Sequence, residues 1–170
     1  MVPSPRALTP ASKDPLMTDK PAQTHDPLEV LDLARSLGDR GDVRAATALL
    51  DATLAQVVLQ QPATARLAAQ AGWLHLERGH LALVSGALQD ADRYGLESLK
   101  SFEKADDRAG QASSSLLLGD ANWQGGHAQR AHAWWQRACA LADAAGNSPL
   151  AARALAAIAL AELHGGSLAE

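Results

Sequence analysis

The chain has 170 residues, a length that suits one compact domain, and a formal net charge of −4 with no run of five basic residues. That balance excludes the concentrated basic face that nucleic acid requires. The single cysteine, Cys139, excludes an internal disulfide and suits a reducing compartment. No stretch approaches the ~20 continuous apolar residues of a membrane span, and the N-terminus lacks a hydrophobic signal core, so a cytoplasmic protein with no membrane partner is expected. Hydrophobic residues make up 47% of the chain, with 37 Ala and 27 Leu against only 13 Val, Ile and Thr together. Strong helix formers thus dominate and sheet formers are scarce, which predicts an all-α protein of closely approaching helices.

Residues 1–26 hold five of the eight prolines and are rich in Ser, Thr and Lys, so they read as a disordered N-terminal tail. Met17 within it is a plausible alternative start. The folded part opens at Asp26-Pro27, an N-cap residue followed by proline at the first helical position. Ser148-Pro149 repeats that signal and Gln61-Pro62 is a weaker version. Leu/Ala-rich stretches at helical spacing follow each, and they end at Gly41, Gly79, Gly126 and Gly166. Glycine past a helix end supplies the left-handed turn that a C-terminus needs. The gaps between these glycines are 38, 47 and 40 residues, a repeat with an insertion. The chain therefore reads as helix–turn–helix units over about 27–60, 62–105 and 107–146, a terminal helix over about 149–164 and a short tail over 167–170. With Gly79 as the turn, the second unit has seven extra residues, two helical turns with ~20° of drift. They predict a second helix two turns longer that keeps Leu99 and Phe102 buried, or else a break near Tyr94–Gly95.

Unit three carries Leu118-Gly119, Gly126, Ala131, Trp135 and Ala138. Unit one carries Ala34, Gly41, Ala46 and Leu50, with Thr53 at the last small position. Unit two carries Gly72, Gly79, Leu88 and Ala91, with Val84 where a small residue is usual. This set resembles the tetratricopeptide repeat family in its longer-period form, with about forty residues per unit, over residues 27–166. The aromatic usually found midway down the first helix is missing, with Asn122 and His75 in its place. The resemblance implies a right-handed α-solenoid of antiparallel helix pairs, about seven helices in all, whose first helices line a concave groove that holds a protein segment. The groove residues it implies are Leu31 and Arg35, then Arg66, Ala69, Trp73, Leu76 and Glu77. Leu116, Asp120, Trp123 and Gln124 follow, then Arg153, Ala156, Leu160 and His164. The foremost of these for a protein-binding groove are Arg35, Arg66, Trp73, Leu76, Asp120, Trp123 and Arg153. Trp and Arg are the types enriched in binding hot spots. Some family members clamp a chaperone's carboxylate tail with lysines and asparagines, but the matching places here hold Leu31, Arg35, Ala69, Trp73, Leu116 and Asp120.

Other chemistry finds little support. His75 and His80 are five apart and straddle the expected turn at Gly79, and His127 and His132 are also five apart. That spacing separates side chains by roughly 140° on a helix, and no Cys or carboxylate cluster completes a metal set. Cys139 lies seven residues past His132, too far for a base, and reads as a small half-buried residue. No Gly-Lys phosphate loop, G-x-S-x-G elbow or H-E-x-x-H occurs. Arg40-Gly41-Asp42 reads as a helix end followed by a cap. Trp135 is expected in the core and Trp134 at its edge. These readings predict no catalytic residue, metal or cofactor, and a non-enzymatic adaptor or chaperone that takes a peptide or helix. The rivals are a homo-oligomeric scaffold and, more remotely, a small-ligand sensor or enzyme using the groove. The terminal helix is apolar almost all round, so Leu155, Ile158 and Leu163 are expected to face outward as a self-association or partner-docking surface.

Overall fold

The computed structural model describes residues 26–60 and 64–166. Among them are seven helices and no strand: α1 (Pro27–Asp39), α2 (Val43–Leu59), α3 (Ala65–Val84), α4 (Leu88–Ala105), α5 (Arg108–Gln124), α6 (Ala128–Ala144) and α7 (Ser148–Gly166). The expected disordered tail up to residue 25, the alternative start at Met17, the Gln61-Pro62 signal and the 167–170 tail lie outside the described residues.

Short polar side chains start most of the helices, because the first backbone amides have no partner within the helix. Asp26 accepts from the Leu28 amide with Pro27 at the first helical position, Asp42 from Ala45, Thr64 from Leu67 and Asp107 from Gly110. Asn147, not Ser148, caps α7 by accepting from the Leu150 amide at 3.2 Å. Asp42 thus has the capping role expected of it, directly after Gly41 at φ 82°.

The turn of the second hairpin lies elsewhere than expected. Gly86, at φ 74°, closes α3, whereas Gly79 is buried in the middle of that helix. The seven extra residues therefore belong to the first helix of the pair, and α4 runs unbroken through Gly95. Gly79 and Gly86 are two turns apart, so both sit in phase with the apolar stripe. What separates them is the distance to the next turn. Gly86 and Gly126 stand 20 residues before Asp106 and Gly146, and these last two also take positive φ.

With that register the repeat is regular. Five residues past each hairpin turn is a fully buried alanine: Ala46, Ala91 and Ala131. Nine, twelve and sixteen past are buried Leu50, Gly95 and Trp135, then Thr53, Ser98 and Ala138, then Val57, Phe102 and Ala142. Seven and ten before the turn are buried Ala34, Gly79 and Gly119, then Leu31, Leu76 and Leu116. Facing positions pair large with small. A Cβ on Gly72 would stand 2.8 Å from the Phe102 ring, and one on Gly119 would run into the Trp135 ring. That pairing brings the helices close and fills the space between them.

Hairpins pack side by side along the chain, and α7 stacks on the last of them. Successive first helices touch one another, α1 with α3, α3 with α5 and α5 with α7, while the backbones of α2, α4 and α6 stay apart. The stack therefore curves with the first helices on its inner face. Buried serines tie neighbouring helices: Ser98 Oγ donates to the Gly72 carbonyl and lies 2.8 Å from Ser114 Oγ.

Candidate binding groove

The inner face carries one position from the first helix of each hairpin, six residues before its turn, Arg35, His80 and Asp120, and the matching position of α7, Leu160. Around this ladder the charges are linked. Arg35 donates from Nε to Glu77 Oε2 at 2.9 Å and from Nη1 to Asp32 at 3.4 Å. Glu77 is buried, so its pairing with Arg35 offsets the cost of desolvating its charge. His80 lies within the fields of Glu77, Arg153 and Arg35. Burial, the largest influence, holds it below the ordinary histidine value, against Glu77, which raises it. Asp120 accepts from Trp135 Nε1 at 2.9 Å. Burial pushes its carboxyl above the ordinary value, against that hydrogen bond and the charge of Arg153. Arg153 itself is exposed and makes no ion pair among the described residues.

Next to this polar strip stands Trp123, whose ring lies 5.8 Å from that of Trp135 and 6.5 Å from His164. It is 36% exposed, a large figure for an indole packed on two other rings. Beyond it a largely apolar hollow of about 330 Å³ opens between α6 and α7, lined by Trp123, Ala128, Gln129, His132, Ala161 and Glu162.

Of the seven groove residues expected, the structure brings Arg35, Asp120, Trp123 and Arg153 to this face. Leu76 is a correction: it is 4% exposed and sits in the stripe between α3 and α4, out of reach of a partner. Trp73 is also reassigned. Its ring meets Phe102 edge-on at 5.0 Å and packs against the core of the first two hairpins. Arg66 is exposed on the first turn of α3, at the opposite end of that helix from His80. Both errors follow from taking Gly79 as the turn, which places the inner face of α3 seven residues early. The same error hid His80. It stands 40 residues before Asp120, and alignment on Gly86 would have exposed it.

The remaining histidines and the thiol serve elsewhere. His75 and His80 do not straddle a turn; both lie within α3, pointing to different neighbours. His75 stacks on Tyr94 at 6.3 Å, with Nδ1 buried and lacking a hydrogen-bond partner. Tyr94 in turn accepts from Arg78, which also holds Asp51 and Thr47 of α2, so this outer network joins α2, α3 and α4. His132 lies 3.9 Å from Glu162. Cys139 is half-buried, and burial followed by the Asp143 carboxylate pushes its thiol upward, away from nucleophilic form. Among the described residues no three His, Cys, Asp or Glu side chains gather as a metal site, and no helix is long and apolar enough to cross a membrane. Compared with models of known protein families and with curated proteins, the chain matches none.

Proposed function

We propose that the chain is a tetratricopeptide-like adaptor that binds a segment of another protein along its inner face, without catalysis. One observation carries this reading: polar and aromatic side chains from four separate helices share a single curved face, with Arg35, Trp123 and Arg153 exposed and His80 and Asp120 half-buried between them. Arg35, His80, Asp120, Trp123 and Arg153 span most of the stack, a length suited to an extended segment or one helix laid along it. Trp123 supplies a rigid apolar anchor at low entropic cost, and Arg153 supplies a cation that no carboxylate among the described residues pairs with. The apolar hollow beside Trp123 gives a bulky side chain of the segment a place to go.

The test is selection of binding segments from a displayed random-peptide library, followed by calorimetry. Trp123→Ala and Arg153→Glu should each weaken the selected peptide at least ~10-fold. Arg137→Ala, on the outer side of α6, should leave it unchanged. Peptides indifferent to both inner-face substitutions would refute the reading.

A further inference from the structure

A second surface, which adjoins the groove at Leu160, is left open by the repeat itself. Every hairpin opposes two stripes spaced four, three and four residues and run antiparallel, in which a bulky side chain meets a small one. On α5 the stripe is Ala112, Leu116, Gly119 and Trp123; on α6, read backwards, it is Ala142, Ala138, Trp135 and Ala131. On α3 and α4 the same register sets Gly72 against Phe102 and Gly79 beside Tyr94 and Ala91. Forty residues beyond the α5 stripe, α7 carries Ala152, Ala156, Ala159 and Leu163. All four are exposed, and no described helix covers them. Leu155 and Leu160 flank the stripe, and these three leucines are 55%, 57% and 71% exposed in chain order. Ile158, expected to face outward with them, instead packs partly against the core beneath.

The covering helix must run antiparallel to α7 and present a small residue opposite Leu163. α7 meets that requirement itself. Turned end for end, it sets Ala152 opposite Leu163, small against large, and Ala159 opposite Ala156, small against small as Ala112 stands against Ala142 on α5 and α6. We propose that α7 pairs with α7 of a second copy about a two-fold axis beside Ala157 and Ile158. The symmetric contact continues the packing inside each stack, and it is closed, as two-fold interfaces are. The alanines let the two backbones approach, and the flanking leucines of each copy fill the edges. Three to four turns of helix on each side bury on the order of 1,000 Å² in total, which is the size of a specific but reversible interface. Arg153 of the two copies stays about two and a half turns apart, so no like charges meet.

Sedimentation equilibrium of the full chain tests this. The proposal expects a monomer–dimer equilibrium in the micromolar range. Ala159→Arg, beside the axis on an exposed face, should give a monomer with unchanged helical content. Ala152→Leu should weaken the dimer at least tenfold by setting leucine against leucine, and Leu163→Ala should weaken it by leaving a gap. The double variant Ala152→Leu/Leu163→Ala restores a large–small match and should recover the dimer. A chain that stays monomeric at several hundred micromolar, or a dimer indifferent to all four variants, would overturn the proposal.

Discussion

Glycine does two different jobs here, and single substitutions separate them. Gly86 has positive φ with open space around its Cβ position, while Gly79 is helical and faces Leu117. Gly86→Asn should therefore be tolerated within about 0.5 kcal/mol, because asparagine visits the left-handed region. Gly79→Asn should cost several times more by overpacking, about 1–3 kcal/mol. Chemical denaturation of the pair measures both, and equal costs would contradict the register. Histidine titration gives a second check. Burial lowers His75 and His80 from the ordinary value of 6.5 in the fold. The unfolded chain thus takes up these protons first as the pH falls, and stability is lost as the pH drops below about 6.5. Asp120 works oppositely: its raised value means that the fold holds the proton more tightly, adding stability as the pH falls toward the carboxylate range. His75→Phe should shrink the loss of melting temperature between pH 7 and pH 5. It should also stabilise the fold near pH 7, because it removes an unpartnered buried nitrogen worth about 1–3 kcal/mol.

At the scale of elements, the connection between hairpins two and three carries the one non-glycine residue with positive φ among those described. Asp106 sits at φ 53° where the equivalent residue in the next connection is Gly146. Asp106→Gly should raise stability by a few tenths to about 1 kcal/mol, readable as a higher denaturation midpoint. Most of the element pattern was legible beforehand. Asp26-Pro27, Gly41 and Gly126 marked real helix ends, and Ala131, Trp135 and Ala138 marked a real interface, because caps, left-handed turns and close crossings restrict residue type locally. Gly79 misled because two helical turns preserve the phase of the stripe, so periodicity alone could not choose between Gly79 and Gly86. The site inherited that slip. Arg35, Asp120, Trp123 and Arg153 lie on the inner face, where the sequence places them, because their units are in register. With the turn at Gly79, Trp73 and Leu76 fall at groove positions and His80 does not, because that unit is out of register by seven residues. The burial of Trp73 against Phe102 is a contact between α3 and α4 that no spacing within α3 reveals.

At the scale of the molecule, stability is a chain of neighbour interactions, since each hairpin touches mainly the next. α5 packs against α3, α4, α6 and α7, whereas α7 is covered on one side only. Amide exchange should therefore be slowest in α5, at Leu116, Leu117 and Leu118, and faster throughout α7. Equal protection of the two helices in a monomeric variant would contradict the stacked arrangement. The same curvature gathers Arg35, His80, Asp120, Trp123 and Arg153 on the inner face, and the central claim is that a protein segment lies there. The most direct measurement is an NMR titration of the labelled chain with a selected peptide. The account predicts that the Trp123 indole and the Arg153 side chain shift together, while Trp134 and Arg137 on the outer helices stay still. Shifts confined to the outer helices, or to Trp73 and the ends of α3, would contradict it.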